Sequence, residues 1–272
     1  MKVALATCSL FPQLDGDDRF LLEALRQRGV QAEPRLWNDP SVEWEGYDLC
    51  LIRSTWDYVE HIGDYLNWVR RVPRLVNPAR VVEWNHDKIY LDQLEAAGIP
   101  VVPTEWPQGD VDLKEIRERR GWDEVVVKPR VSAGSRHTVR TRGGLEGPAG
   151  HRWMVQPYVA SVAVEGELSL VFFGQQLAHA VCKRPTPGDF RVQAELGGRF
   201  SRFEPSLSLI QWSLRCLQQL PAPCLYARVD WLLAPGGGYW LGELEAIEPS
   251  LYFEQAPESA SVLADLVVDE LG

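Results

Sequence analysis

The chain has 272 residues, of which 45% are apolar, and its formal net charge is −10. This length suits one large domain or two to three small ones, each with an ordinary buried core. Because lysines and arginines form no basic run, the composition argues against a DNA or RNA partner.

Neither a membrane span nor a secretion signal is apparent in the sequence. No stretch of 18 or more apolar residues occurs. The N-terminus lacks a long apolar region and reaches Asp15 quickly, unlike a signal peptide. The five cysteines are scattered without a C-x-x-C pair, as expected for reduced thiols. These features predict a cytoplasmic protein with no membrane partner.

The first third of the chain alternates between short apolar runs and amphipathic segments. Residues 3–6, 32–37 and 47–52 are predicted strands, and residues 20–25 carry a helical stripe. Strands that alternate with helices are typical of a parallel sheet. Ligands bind beyond the carboxyl ends of such strands, which makes the loop at residues 53–58 a candidate binding segment.

The remainder of the chain predicts paired strands. Residues 168–173 and 177–181 are separated by Gly174, and residues 226–233 and 239–245 flank three consecutive glycines. Such hairpins indicate an antiparallel sheet, so the predicted fold class is α/β in the first third and α+β beyond it. Neither G-x-G-x-x-G nor G-x-x-x-x-G-K-[ST] occurs, so a nucleotide site would be of another type.

Lys128 ends a β-branched strand and precedes a segment of small residues. A lysine at the end of a buried strand is costly unless an anion meets it. The following segment contains Ser132, Gly134 and Ser135, whose backbone N–H groups could fold over phosphate oxygens. Taken alone, an edge lysine before a surface loop explains the pattern equally well.

A second lysine, Lys88, falls in the first turn of a helix predicted over residues 87–97, with Asn85 or Asp87 as its cap. A cation there opposes the helix dipole unless it faces an anion. For this motif alone, a solvated helix lysine is the simpler explanation.

A predicted strand at residues 153–159 is interrupted by proline, which exposes its edge. An exposed edge of backbone groups near Gln156, Tyr158 and Val159 suits adenine. Glu167 follows and could hold the ribose hydroxyls, although a plain turn is the alternative.

Three acidic residues lie in the last two predicted strands. Glu243 and Glu245 share a face because side chains alternate along a strand, and Asp230 lies on the partner strand. Converging carboxylates repel one another unless cations are present, and hard oxygen ligands suit Mg²⁺. The apolar residues around them favour a metal site over a solvated acidic face.

Three basic residues in the second part of the chain are candidates for binding phosphate. Lys183 belongs to a basic pair, Arg191 lies in a G-D-F-R segment before two glycines, and Arg228 lies two residues before Asp230. Guanidinium groups bind phosphoryl oxygens in bidentate fashion. We therefore predict that Lys183, Arg191 and Arg228 are catalytic.

In their order along the chain, these segments resemble the ATP-grasp superfamily in its glutathione-synthetase-like branch. The match covers about residues 85–255, and this family more often has Asn where this chain has Glu245. The resemblance implies an ATP-grasp fold. Residues 1–83 would form an N-terminal pre-ATP-grasp domain, 84–157 a small central lobe, and 158–272 a C-terminal lobe with the metal site. The two lobes would clamp ATP and Mg²⁺.

Three segments are also similar to the subgroup that contains the cycloserine-forming O-ureido-serine cyclo-ligase. They are R-S-T-W-D-Y at 53–58, W-N-H-D-K-I-Y-L at 84–91 and E-L-E-A-I-E-P-S-L-Y-F at 243–253. This resemblance implies a small amino-acid-like substrate. Loop position and resemblance together suggest a substrate site that comprises Arg53, Ser54, Thr55, Asp57, Asp17 and Glu248. Arg53 would bind a carboxylate, with Asp17 or a neighbouring aspartate near an amino group.

The implied activity is ATP-dependent carboxylate–nitrogen ligation through an acyl phosphate. If the nitrogen belongs to the same molecule, the enzyme is a cyclo-ligase that forms cycloserine or a similar ring. The alternatives are an intermolecular ligase of amino acids or peptides with amines, a kinase, and a nucleotide-binding regulatory protein without turnover. The oligomeric state stays open, and a homodimer is one alternative.

Overall fold

The N-terminal part of the molecule contains a parallel sheet. The structure is a computed structural model that describes residues 1–109, 111–144, 152–186, 188–192 and 197–272. The sheet order is β2-β1-β3-β4, and every neighbouring pair is parallel. The strands are β1 (Lys2–Thr7), β2 (Gln31–Leu36), β3 (Leu49–Ile52) and β4 (Leu75–Val76). The predicted parallel sheet is confirmed.

Helices cover this sheet and lead into the rest of the chain. In the first of them, Leu21, Leu22 and Leu25 lie on one buried stripe, as their spacing predicts. The helices are α1 (Asp18–Gln27), α2 (Ile62–Arg71), α3 (Ala79–Asn85), α4 (Tyr90–Ala96) and α5 (Leu113–Arg120).

The helix predicted from residue 87 begins later, at Tyr90. The reason is tertiary, because the Lys88 backbone N–H donates to the Arg130 carbonyl oxygen and the Asp87 carboxylate pairs with the Arg130 guanidinium at 2.8 Å. Asp87 also accepts from the Ile89 N–H, whereas the predicted cap Asn85 bonds to a distant strand.

The second sheet is antiparallel, in the order β6-β5-β7, and consists of β5 (Val125–Pro129), β6 (Val139–Thr141) and β7 (Trp153–Pro157). Alternation along β5 buries Val125 and Val127 in a cluster with Leu113 and Ile116 of α5. The opposite face of β5 therefore carries Lys128.

The third sheet has five strands in the order β10-β9-β8-β11-β12, all antiparallel to their neighbours. They are β8 (Glu167–Phe173), β9 (Gln176–Arg184), β10 (Arg199–Arg202), β11 (Tyr226–Leu233) and β12 (Tyr239–Glu245). Helix α6 (Leu207–Leu217) follows β10, and α7 (Pro257–Leu271) ends the chain. The predicted α+β second part is confirmed.

The N-terminal sheet and the C-terminal end of the chain share one hydrophobic cluster. It includes Leu5 of β1, Leu25 of α1, Phe173 of β8 and Leu263 of α7, and α7 packs against α1. The three sheets fall one in each predicted unit, residues 1–83, 84–157 and 158–272. Those boundaries remain a prediction, and the shared cluster crosses the first of them.

Asn77 joins the two parts by polar contacts. Its amide nitrogen donates to the carbonyl oxygens of Tyr226 (2.7 Å) and Ala246 (2.9 Å), and its amide oxygen accepts from the Leu225 N–H (2.7 Å). The side chain is fully buried. This one residue therefore satisfies three backbone groups of the C-terminal part.

We expect Asn77→Ala to lower the free energy of unfolding by about 3 kcal/mol, because buried backbone groups lose their partners. Urea denaturation measures the change. Asn38→Ala, at an exposed position, should change it by less than about 0.5 kcal/mol. Equal effects of the two substitutions would contradict the structural role of Asn77.

Candidate active site

A cleft lies between the second and third sheets and is bordered at one end by the N-terminal domain. It collects residues from segments more than 100 positions apart. Its lining includes Trp56, Tyr58, Asn85, Lys88, Val102, Val126, Lys128, Ser132, Gly134, Ser135, Gln156, Tyr158, Val159, Glu167, Lys183, Arg191, Arg228, Asp230, Glu243, Glu245 and Glu248.

Two lysines enter the cleft from different elements. Val126 and Lys128 line the cleft because the alternate residues of β5 are buried on its other face. Lys88 Nζ lies 2.7 Å from Glu243 Oε1 and donates to the Ser132 carbonyl oxygen at 2.9 Å. Burial lowers the pKa of Lys128, an effect that the charge of Glu243 partly offsets.

Strand register places the predicted acidic residues beside the predicted cations. Asp230 pairs with Glu243 across β11 and β12, and Arg228 pairs with Glu245. The alternate residues Val229 and Trp231 are buried in the apolar core on the opposite face. The period of two thus puts every one of these charged groups on the cleft side.

Asp230 is the centre of this charged group. It accepts from Arg228 at 3.0 Å and from Ser169 Oγ at 2.5 Å, and it lies 3.3 Å from Lys183 Nζ. Burial alone would raise its pKa, but Arg228 and Lys183 hold the pKa of this carboxyl well below its usual value. Asp230 is therefore ionised throughout the physiological range.

The other acids of the group each have a cation. Arg228 also pairs with Glu245, and Lys183 pairs with Glu167. Burial raises the pKa of Glu245 to about 7, because the neighbouring carboxylates offset the attraction of Arg228. The pKa of Lys183 is raised, since Asp230 and Glu167 outweigh the cost of burying the ammonium. Negative and positive charges are thus closely matched, with an excess of negative charge near Glu245.

The structure does not assemble the predicted metal ligands around one point. Among the residues described, no three His, Cys, Asp or Glu side chains are arranged so as to hold a metal ion. The reason is the cations, since Arg228 and Lys183 contact Asp230 and Lys88 contacts Glu243.

The predicted adenine segment forms the apolar end of the cleft. Gln156 lines it but its amide donates to Thr104 Oγ1 at 2.9 Å. The Tyr158 ring lies under the Arg140 guanidinium, 3.6 Å from the ring centroid, and contacts Phe190 edge-on. Val159 is buried in a small apolar cluster. These residues give this part of the cleft an aromatic ring and apolar side chains, against which a planar base could pack.

The small-residue loop adopts a left-handed backbone conformation at two positions and contacts the N-terminal part of the chain. Gly134 and Ser135 both have positive φ, at 59° and 56°. Ser132 Oγ donates to the Pro129 carbonyl oxygen at 3.1 Å, and Arg136 forms an ion pair with Glu60. The loop therefore borders the cleft with exposed backbone rather than with large side chains.

Arg191 lines the cleft but its guanidinium binds Asp189, with an Nη2–Oδ2 distance of 2.9 Å. The contact lowers the pKa of Asp189. The predicted catalytic arginine therefore has a partner outside the central charged group, unlike Lys183 and Arg228.

Most of the predicted substrate residues do not line the cleft. Arg53 is 1% exposed, pairs with Asp18 at 2.8 Å and donates to the Pro249 carbonyl oxygen at 2.7 Å. Ser54 also binds Asp18, and Thr55 contacts the Tyr65 hydroxyl. These contacts hold the post-strand loop against the C-terminal part.

Two further predicted substrate residues are engaged in the same way. Asp57 accepts from the Trp37 indole at 2.7 Å, and Asp17 accepts from the Glu254 N–H at 3.0 Å. Asp17 Oδ2 and Arg53 Nη1 are buried without a hydrogen-bond partner among the described residues, but Asp17, Asp57 and Arg53 do not line the cleft. The geometry therefore supports a structural role for the loop more than a ligand-binding one.

Glu248, in contrast, lines the cleft, as do Trp56, Tyr58 and Asn85, which were not in the predicted site. Asn85 donates to the Leu244 carbonyl oxygen at 2.7 Å and accepts from the Ala246 N–H at 2.8 Å. It thereby fixes the end of β12. Trp56 and Tyr58 fall in the predicted post-strand loop, so position could have indicated them, but no local signal indicated Asn85.

Comparison with known proteins decides the family. A family model described as the N-terminal domain of D-cycloserine synthetase DcsG matches residues 3–77. The cycloserine biosynthesis protein DcsG of Streptomyces lavendulae is 32% identical over an alignment 298 residues long, gaps included. The alignment covers 99% of this chain and 98% of that protein. The chain belongs to the DcsG family. The predicted resemblance to a cycloserine-forming subgroup is confirmed.

Solved structures agree on the fold of this DcsG-family chain. The crystal structure of D-cycloserine synthetase DcsG matches with a TM-score of 0.86 and 27% identity, covering both chains completely. The ATP-grasp ligase PsnB, in complex with a precursor variant, Mg and ADP, matches at 0.68 and 14%, over 99% of this chain and 98% of that one. D-alanine–D-alanine ligase from Bacillus anthracis matches at 0.65 and 14%, over 100% and 97%.

The DcsG-family chain is an ATP-dependent ligase with the ATP-grasp fold, as predicted. ATP-grasp enzymes use ATP and Mg²⁺, as the PsnB complex illustrates. No helix among the described residues is both long and apolar enough to span a membrane.

A prediction about pH follows from Glu248. Burial, with a contribution from the charge of Glu245, raises its pKa from an ordinary value of 4.5 to about 8. Between these values the native protein holds a proton that the unfolded chain releases, so stability falls as pH rises through this window. We expect Glu248→Gln to make this fall shallower.

Thermal denaturation at intervals from pH 5 to pH 8.5 measures it. Some decline should remain, because Glu245 titrates in the same direction. Glu254→Gln, at an exposed position in the following segment, is the matched control and should leave the slope unchanged. Parallel curves for wild type and Glu248→Gln would contradict the prediction.

Proposed function

We propose that this ligase uses ATP and Mg²⁺ to activate the carboxylate of a small amino-acid-like substrate, and that a nitrogen of the same molecule then closes a ring such as cycloserine. The single observation that carries the proposal is the buried group of Lys183, Arg228, Asp230 and Glu245 in the cleft. Two buried cations beside a cleft are suited to binding a polyanion reversibly. Family membership supports the ring-forming reaction.

ATP would lie along the cleft with its purine at the apolar end near Tyr158 and Val159. Its phosphates would meet Lys88, Lys128 and the backbone of the small-residue loop. Glu167 also lines the cleft and is proposed to bind the ribose hydroxyls. That role requires Glu167 to share or give up its contact with Lys183.

In the first step, an oxygen of the substrate carboxylate attacks the γ-phosphorus and the bond to the β-phosphate oxygen breaks. The products are an acyl phosphate and ADP. Lys183 and Arg228 provide fixed positive charge against the developing negative charge. Arg191 would join them after leaving Asp189. In the second step, the nitrogen attacks the acyl carbon, phosphate leaves and the nitrogen loses a proton. If this nitrogen belongs to a ureido group, the product is the N-carbamoyl ring, and cycloserine forms when water removes the carbamoyl group as carbon dioxide and ammonia.

The proposed magnesium ligands are Asp230, Glu243 and Glu245. They fit in chemistry, because they are oxygen donors on one face and the raised pKa of Glu245 reports unbalanced negative charge. About a quarter of each glutamate side chain is exposed to the cleft, 25% for Glu243 and 27% for Glu245. A metal ion held there would supply positive charge that neutralises the phosphates.

The experiment that tests the proposal measures ADP release and product mass with O-ureido-serine, as both enantiomers, in the presence of Mg²⁺. A cyclo-ligase releases ADP and yields a product lighter than its substrate. A two-substrate adduct would instead show intermolecular ligation, and a persistent phosphorylated product would show a kinase. Binding of ATP without ADP release on any amino-acid-like substrate would refute the proposal.

We expect Lys128→Ala to weaken nucleotide binding on the order of 100-fold, because a buried ammonium contact to phosphate is lost. Titration calorimetry with a non-hydrolysable ATP analogue measures the affinity. Lys114→Ala is the control, since the Lys114 side chain is 83% exposed. Unchanged affinity in Lys128→Ala would remove this residue from the site.

We expect Glu243→Gln to lower ADP formation about 100-fold at saturating substrate and to raise the magnesium concentration needed for half-maximal rate. Initial rates over a magnesium titration measure both effects. Glu95→Gln, at an exposed position on α4, should match the wild type. A reduced rate with an unchanged magnesium requirement would count against Glu243 as a ligand.

A further inference from the structure

The Glu248 carboxylate occupies the end of the cleft next to the N-terminal domain. The residue is 7% exposed and lines the cleft together with Trp56 and Tyr58. It lies in the segment that follows β12, three positions beyond Glu245. A carboxylate in such a position has lost most of its water and needs another source of stabilisation.

The other four carboxylates that line the cleft each have an ion-pair partner. Glu167 pairs with Lys183, Asp230 with Lys183 and Arg228, Glu243 with Lys88, and Glu245 with Arg228. For Glu248, no ion pair or side-chain hydrogen bond to the carboxylate is found within the part of the chain that the structure describes. Its carboxyl group is the exception among the acids of the cleft lining, since the other four are paired with cations.

The nearest cation does not supply the missing charge. Lys88 is the positive group whose field acts on Glu248, whereas Glu243 and Glu245 repel it. The Lys88 ammonium is already in contact with Glu243 at 2.7 Å and with the Ser132 carbonyl oxygen at 2.9 Å. In the absence of a ligand a proton neutralises Glu248, because burial raises its pKa to about 8. A cation supplied by a ligand would compensate the ionised carboxylate instead.

The surroundings of Glu248 suit a small organic cation. The Trp56 indole donates to the Glu248 carbonyl oxygen at 3.2 Å and packs edge-on against Phe11, with centroids 5.1 Å apart. Tyr58 stacks on Tyr65 at 4.7 Å. These contacts fix the backbone of Glu248 and the aromatic walls beside it. Aromatic faces attract ammonium groups, and a fixed carboxylate adds a charge-assisted hydrogen bond.

We propose that Glu248 binds the protonated amino group of the substrate, with Trp56 and Tyr58 as the walls of the ammonium site. This inference rests on the proposed function, and it narrows the substrate class to compounds with a free amino group near the reacting carboxylate. It also transfers the amino-group contact from Asp17, which binds a backbone N–H away from the cleft lining, to a residue in the cleft.

A different role for the same carboxylate would be to accept the proton that the attacking nitrogen loses. The two roles predict different selectivity between substrates with and without an amino group. An ammonium site favours a substrate with an amino group over one without it, whereas a proton acceptor acts equally on both. Substrate comparison therefore separates them, where loss of activity in a variant alone would not.

The test compares O-ureido-serine with its analogue that lacks the amino group, 3-(ureidooxy)propanoate, in wild type and in Glu248→Gln. We expect wild type to prefer the amino compound by about 100-fold in kcat/KM, mainly through KM, and Glu248→Gln to prefer it by less than about 5-fold. An unchanged preference in the variant, with both compounds slowed equally, would overturn the inference.

The ratio of the two kcat/KM values does not depend on the fraction of folded enzyme, so partial misfolding of the variant leaves the test intact. Glu248→Asp should retain part of the preference, and Glu254→Gln all of it. Titration calorimetry of both compounds in the presence of a non-hydrolysable ATP analogue gives the same comparison without turnover. If wild type binds the amino compound selectively but releases no ADP, the proposed function fails and the ammonium site stands. If turnover occurs without selectivity, only the ammonium site fails.

Discussion

The buried ion pairs of Asp230 with Arg228 and Lys183 are the interaction on which the cleft depends. Charges that are removed from water are stable only when opposite charges and hydrogen bonds compensate for the lost hydration. The structure satisfies this requirement with Ser169 of β8, with Arg228 on the same strand as Asp230, and with Lys183 of β9. The same ion pairs hold Lys183 and Arg228 in the lining of the cleft, where we propose that they meet the phosphates of ATP.

The position of the cleft depends in turn on contacts between distant segments. Asn77 bonds to three backbone groups of the C-terminal part, and Arg53 reaches the Pro249 carbonyl oxygen. Asn85 fixes the end of β12. Through Asn77 and Arg53, the N-terminal part therefore helps to set where the segment after β12 lies. That segment carries Glu248, the acid of the cleft lining that lacks a cation in the described structure.

Prediction from the sequence succeeded where the physical signal is local. Apolar periodicity indicated the parallel sheet and the hairpins, and alternation along β12 indicated that Glu243 and Glu245 share a face. It was wrong where distant partners compete with local preference. The helix predicted from residue 87 begins at Tyr90 because Arg130, 43 positions away, binds Asp87.

The sequence by itself determined the order of the main strands and predicted which residues carry the chemistry, because the identity of a strand and the face of each side chain follow from neighbours a few positions away. Only the tertiary structure decided which charge meets which. It buried Arg53 against Asp18, brought Lys183 to Asp230 and Lys88 to Glu243, and left Glu248 in the cleft without an ion pair in the described residues. These outcomes depend on the register and packing of segments up to about 200 residues apart, for which no local pattern exists.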